Sequence, residues 1–348
     1  MTTTLPTIIQ GGMGIAVSDW RLANAVSRTG QLGVVSGTAI DGVLVRRLQR
    51  GDIGGHIRRA LEAFPVPKIA ERVIDKYFVD GGIAPDQPFK RGPMPRGRQS
   101  ALGEDLLVLA NFVEVFLARE GHSNPVGVNF LEKIQVPTVA SIFGAILGGV
   151  HYILMGAGIP RAIPRVIDEL SAGKPSALRF EVKGANGDPS EVEFDPARFL
   201  EGGVALERPD FLGIVSSHVL ATMLARLERP VDGFVVEGDT AGGHNAPPRG
   251  KPTFTEDGQP VYTDRDRADL AGMRKLDLPF WLAGGQASPE SLARATAEGA
   301  AGIQVGPAFA FCEESGLAPD LKATVIAQAL EGEVAVYTDP VASPTGFP

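Results

Sequence analysis

The 348-residue sequence predicts an α/β chain, a (β/α)8 TIM barrel carrying an inserted lid or helical region, on three observations. Short apolar runs rich in Val, Ile and Phe alternate with helical patterns from end to end, which implies parallel strands joined by right-handed crossovers. Eight such runs occur, the number that closes a barrel. The first run ends Gln10-Gly11-Gly12-Met13-Gly14, without the G-x-G-x-x-G spacing that an open dinucleotide-binding sheet shows in its first turn.

In chain order the expected strands are Thr7 to Gly11, Gly33 to Gly37, Val126 to Leu131, Tyr152 to Gly156, Phe211 to Ser216, Gly233 to Glu237, Phe280 to Gly284 and Gly302 to Gly306. Helical patterns between them cover Ser18 to Thr29, Thr138 to Leu147, Ile159 to Ala172, His218 to Leu227 and Pro289 to Glu298. Residues 1–40 and 126–348 thus make the barrel, and three strand-to-strand intervals are longer than a compact βα unit. The first addition, residues 41–125, has helical patterns near Gly55 to Phe64, Pro67 to Tyr77 and Leu102 to Glu120, with a Pro/Gly-rich stretch, Gly81 to Gly97, that reads as loop or lid. The second, residues 176–198, reads as a hairpin whose arms include Arg179 to Val182 and Glu191 to Phe194, placed on the barrel's lower face. The third, Asn245 to Asp264, starts after the sixth strand and is expected to cover the upper face.

Hydrophobic content of 44% and charged content of 21% are those of a soluble globular protein. A net charge of −8 leaves no basic footprint for nucleic acid. One cysteine, Cys312, excludes an internal disulfide and a cysteine-rich zinc site, and with an N-terminus unlike a signal peptide it points to a cytoplasmic setting. Lys133 to Arg161 encloses no Asp, Glu, Lys or Arg, but Pro137 and Gly148-Gly149 divide it into a helix and a strand, so burial explains it and a membrane span is not expected. Histidine and cysteine spacing shows no metal motif.

Three Gly-Gly pairs fall at strand carboxyl ends: Gly11-Gly12, Gly242-Gly243 and Gly284-Gly285. In a barrel those ends ring the active-site mouth. The seventh and eighth strands end Ala283-Gly284-Gly285-Gln286 and Gln304-Val305-Gly306-Pro307, turns whose backbone N–H groups can approach a phosphate. Tight turns with Ser288 capping a helix explain the same glycines without a ligand. Of five histidines, His218 and His244 alone follow strand ends. His218 also suits a helix start, whereas His244 stands between a glycine pair and the expected lid, just after Glu237 and Asp239, and is the candidate base. The alternating Asp264-Arg265-Asp266-Arg267 reads as a solvated charge run.

Together, Gln10-Gly11-Gly12-Met13-Gly14, Gly127-Val128-Asn129-Phe130-Leu131, Ala241-Gly242-Gly243-His244, Leu282-Ala283-Gly284-Gly285 and Ile303-Gln304-Val305-Gly306 resemble the nitronate monooxygenases, formerly 2-nitropropane dioxygenases, and the related flavin-dependent enoyl-acyl-carrier-protein reductases. The resemblance implies FMN, with Gly12, Met13, Asn129 and Gly243 around the flavin ring and Gly284, Gly285, Gly306 and Pro307 at its phosphate. It implies that His244 takes a proton from a small carbon acid, a nitronate or nitroalkane, with molecular oxygen as co-substrate. An NAD(P)H-dependent enoyl-thioester reductase, or a flavin-binding component of a biosynthetic assembly, are the other readings, and self-association stays open. Pro307 departs from the family's threonine, and Asn245 with the prolines after it departs from the family's lid. Lys133 is the nearest cation to the strand ends that would face a reduced flavin.

Overall fold

The computed structural model describes residues 5–180, 190–200, 206–242, 246–334 and 337–341. Its strands are β1 (Ile8–Gln10), β2 (Gly33–Ser36), β3 (Val126–Leu131), β4 (Tyr152–Gly156), β5 (Ser176–Phe180), β6 (Ser190–Phe194), β7 (Asp210–Val215), β8 (Gly233–Glu237), β9 (Phe280–Ala283) and β10 (Gly302–Val305). β5 and β6 pair with each other, antiparallel, and the other eight form one parallel sheet in the order β1-β10-β9-β8-β7-β4-β3-β2. A parallel bridge between Ile9 and Leu32 joins its two edges, with Gln10 N donating to Leu32 O at 2.9 Å. The result is the expected (β/α)8 barrel, each barrel strand within one residue of its predicted bounds.

Both faces of these strands are buried, which is why they read as continuous apolar runs rather than as alternations. Inward residues Ile9, Val34, Leu154, Leu212, Val235 and Trp281 fill the barrel. Trp281 donates its indole N–H to Pro6 O at 2.7 Å, so the floor is packed and satisfied while the upper end is left to smaller residues. Outward residues such as Val35, Ile153 and Phe234 join a second, larger core under the helices.

The helices are α1 (Trp20–Arg28), α2 (Ile40–Gln49), α3 (His56–Glu62), α4 (Pro67–Tyr77), α5 (Ala101–Arg119), α6 (Thr138–Leu147), α7 (Ile163–Ser171), α8 (His218–Ala225), α9 (Leu270–Arg274), α10 (Pro289–Ala297), α11 (Pro307–Ala310) and α12 (Pro319–Glu331). Asp19, Ser100, Ser217 and Ser288 cap α1, α5, α8 and α10 by accepting backbone N–H groups. The sequence does not announce α2, α9, α11 or α12; at the start of α2, Ala39 is left-handed and offers no side-chain cap.

α6 and β4 account for the uncharged stretch, because every residue of both is buried. No described helix is long and apolar enough to cross a membrane. α5 and α6 approach so closely that a Cβ on Gly144 would lie 2.3 Å from Val108 O, so only glycine fits there. A buried ion network ties the first addition to the barrel. Arg47 of α2 meets Glu114 of α5 at 2.6 Å and Asp19 at 2.8 Å, and Glu114 also accepts Trp20 N at 2.8 Å. The β5–β6 hairpin packs laterally, with Phe194 against Phe143 of α6, and the following Arg198 pairs with Glu104 and Asp105 in the first turn of α5.

Candidate active site

The described residues of the expected site lie in β3 and in the turns after β1, β9 and β10. The turn after β1 is held by Ser18, whose Oγ accepts from Met13 N at 2.9 Å and donates to Gly11 O at 3.2 Å. That anchor presses Gly12 against β3, where a Cβ would lie 2.5 Å from the Asn129 Cβ. Gly12 and Asn129 are therefore neighbours, with Met13 next in the chain. Gly11 N donates to Val305 O at 2.8 Å, which sets this turn beside the end of β10.

On the other side of the rim Gly284 and Gly285 take φ of +95° and +61°, conformations that favour glycine. Thr240 and Ala241, in the turn after β8, approach Gly284 so closely that a Cβ there would meet Ala241 N at 2.9 Å. Gly242 lies against Pro307. A Cβ on Gly306 would meet nothing within 4 Å, so that position opens onto free space. Ser288 caps α10 by accepting Ser291 N at 3.1 Å, so the capping part of the ligand-free explanation holds alongside the glycine turns. Two acceptors stand out here: Gln286 Oε1 and Gln304 Oε1 are buried and have no hydrogen-bond partner, an uncommon state that a bound donor would relieve.

Gly243 and His244 lie outside the described residues, as does Asn245 where the lid begins. The segment after them is described. Tyr262 donates to Ala246 O at 3.2 Å, and Asp266 accepts Arg249 N at 2.7 Å. Asp266 thus fastens the third addition as well as forming a capping box with Thr263, more than a solvated charge run would do. His218 starts α8 and its ring lies beside Gly272 of α9, the structural role that its position allowed.

Glu237 is the functional candidate that the sequence undersold. It ends β8 beside Ser216, Arg249 and Tyr262 around a cleft of about 20 Å³, room for a single water. Burial alone pushes its carboxyl up to about 7, so near neutral pH it holds or releases a proton. The sequence marked it only as an acid near His244, because desolvation by residues from three separate segments leaves no local pattern. Lys133 lines a large cavity beyond the ends of β2 and β3, and burial holds its ammonium below the ordinary value. Cys312 is half-buried with its thiol pushed up by burial, in keeping with an inert role. Among the described residues no cluster of His, Cys, Asp and Glu could hold a metal.

Eight parallel strands close a barrel with a packed floor and a glycine-lined rim, where two buried acceptors lack partners. Residues 204–341 match the family model described as Nitronate monooxygenase, the family that the motifs resemble. The matched segment carries β7 to β10 and so the turns after β8, β9 and β10. Among solved structures the chain is similar to FabK from Thermotoga maritima at 19% identity and a TM-score of 0.50, covering 92% of this chain and 64% of that one. It is also similar to nitroalkane oxidase from Streptomyces ansochromogenes at 17% identity and a TM-score of 0.46, covering 92% of this chain and 70% of that one. The enoyl reductase domain of MlnA from Bacillus amyloliquefaciens matches at 12% identity and a TM-score of 0.46, over 91% of this chain and 56% of that one. The chain thus spans 64% of the length of the FabK chain, and at 19% identity that likeness bears on the fold alone. No curated protein matches.

Proposed function

We propose that the chain binds FMN at the upper rim and oxidises a small carbon acid, with a nitroalkane or its nitronate as the leading substrate. The observation that carries this reading is the pair of buried, unpartnered acceptors, Gln286 Oε1 and Gln304 Oε1, beside glycine turns in the segment that matches the nitronate monooxygenase family. FMN suits them, because its ribityl hydroxyls and imide N–H are donors. Gly284, Gly285 and Gly306 would accept the phosphate through backbone N–H groups; Pro307 contributes shape but no donor. Gly12, Met13, Asn129 and Gly243 would surround the ring.

When bound, the flavin would accept the electron pair from the carbon acid and hand it to molecular oxygen. The chain's own task is to position the substrate and move one proton. His244 would remove that proton from the carbon beside the nitro group, an imidazole being suited to transfer near neutral pH. A raised Glu237 carboxyl at the end of β8 would hold a proton nearby without adding negative charge to the mouth.

The absorbance spectrum of the purified protein tests the cofactor, and anaerobic mixing with a nitroalkane tests the reaction: bleaching of the flavin bands is expected. Bleaching by NADPH with no response to nitroalkanes would refute it. His244→Asn is expected to keep FMN and slow reduction by neutral nitroalkane about a hundredfold or more, the usual range for a lost base, with preformed nitronate affected less. Equal loss with both forms would remove His244 as the base.

A further inference from the structure

A cavity of about 780 Å³ opens beside Gly37, Phe130 and Leu131 at the upper ends of β2 and β3 and is lined further out by α2, α5 and the segment 88–95. Small-molecule sites span about 300–1,000 Å³, so this is a full-sized one. Val45, Phe89, Leu107 and Phe130 give it apolar walls. Two more of its lining side chains, Ile15 and Met94, are 61% and 79% exposed, so apolar surface stands in water along its edge. The chain of a ligand would cover such surface.

The charge in the lining is one-sided. Arg46, Lys90, Arg91 and Lys133 take part in it with a single acid, Asp41, whose pKa burial raises. The sequence carries the same bias: between Asp86 and Glu104 lie Lys90, Arg91, Arg96 and Arg98 and no acid, in a chain of net charge −8. Elsewhere Arg47, Arg198 and Arg208 each pair with two carboxylates. Arg46 and Arg91 pair with no acid among the described residues; Arg46 lies over the Phe89 ring at 5.9 Å. Stacking uses the face of a guanidinium and leaves its N–H edge for an anion. Lys90 sends its ammonium to Lys76 O at 3.3 Å instead. Its backbone is fixed, because Gln49 of α2 donates to Lys90 O at 2.9 Å and accepts Lys90 N at 2.8 Å. Arg91 follows at once in the chain, so this clasp holds it at the cavity wall on the side of α2 that carries Arg46.

We infer that the cavity binds an apolar chain that carries one anionic head group, a carboxylate or a phosphate. The chain lies against Val45, Leu107, Phe130 and Met94, and the head pairs with Arg46 and Arg91. Such a site needs neither flavin nor turnover, so it stands apart from the proposed oxidation.

Decanoate has twelve heavy atoms and, at about the 30 Å³ share of a liquid water each, fills roughly half of the cavity. Calorimetric titration of the purified protein with decanoate, monodecyl phosphate and decylammonium, at equal ionic strength, tests the site. At least one of the two anions is expected to bind about tenfold more tightly than decylammonium, and the tighter of them identifies the head group. A net charge of −8 favours the cation at any unspecific apolar surface, so the opposite preference has to be local. The double variant Arg46→Gln, Arg91→Gln changes two exposed side chains and should lose that preference while 1-decanol binds it as it binds the wild type. Decylammonium binding as tightly as both anions, no binding of either anion, or a preference that survives the double variant would each overturn the assignment. Butyrate binding as tightly as decanoate would overturn the apolar half of it.

Discussion

The two sides of the barrel mouth are built in opposite ways. Beyond β2 and β3 the rim is backed by α2 to α6, and α5 alone buries fourteen of its nineteen residues. Beyond β8 to β10 the backing is thin: α10 buries Ser291 and Ala295, and α12 buries none of its residues. Yet the heavily backed side holds the large cavity, and the thinly backed side holds the tight glycine turns. Space beside a protein core survives only where the walls are stiff enough not to collapse, since a void forfeits contacts on every lining atom. A second layer of helices supplies that stiffness on one side, while the other side depends on backbone turns that a ligand would complete.

If the stiff side owes its shape to the Asp19–Arg47–Glu114 network, removing its centre should be the most damaging change. Asp19 and Glu114 side chains are 3% and 7% exposed, so Arg47→Met leaves Glu114 without its ion-pair partner and Asp19 with Arg21 alone. Urea denaturation is expected to show a loss of about 3–5 kcal/mol. A loss below about 1 kcal/mol would mean that apolar packing, and not the network, holds α2 and α5 to the barrel.

Glu237 tests the opposite side. Its folded-state pKa lies near 7, above its ordinary 4.5, so between those values the folded protein keeps a proton that the unfolded chain has released. Stability from this group is therefore lost as pH rises through that window, by roughly 3 kcal/mol in all. Glu237→Gln has no such titration, and the difference in unfolding free energy between wild type and variant should shift by that amount from pH 4 to pH 8. A constant difference would show that the mouth is wet enough to solvate the carboxylate.

The smallest expected effect concerns the turns themselves. Gly285→Asp places a carboxylate, on a backbone with φ of +61°, where the phosphate is proposed to sit. Flavin affinity should fall about tenfold, about 1.4 kcal/mol, read from the flavin-to-protein absorbance ratio after dialysis. Undiminished flavin content would move the phosphate away from this loop.

The strands, the glycine turns and most helices were legible in the sequence because each depends on local chemistry. Apolar runs of strand length, a proline at a helix start and a glycine where φ is positive are properties of a few adjacent residues. The helix beginning at His218 was legible, whereas the approach of Gly12 to Asn129 joins β1 to β3, strands that are not adjacent in the sheet, and no local pattern foretold it. The unannounced helices were Ile40–Gln49, Leu270–Arg274, Pro307–Ala310 and Pro319–Glu331.

Only the tertiary structure decided the rest. Arg47 lies 28 residues from Asp19 and 67 from Glu114, and no pattern in the chain links them before it folds. The cavity is lined by residues from several separate segments, among them Gly37, Val45, Phe89, Leu107, Phe130 and Ser141, so it exists only in the folded chain. Glu237 was visible as an acid beside the mouth, but its shifted pKa comes from desolvation, a property of everything packed around it. Local geometry is written in neighbouring residues, whereas burial, and with it the energy of every buried polar group, is a sum over the whole fold.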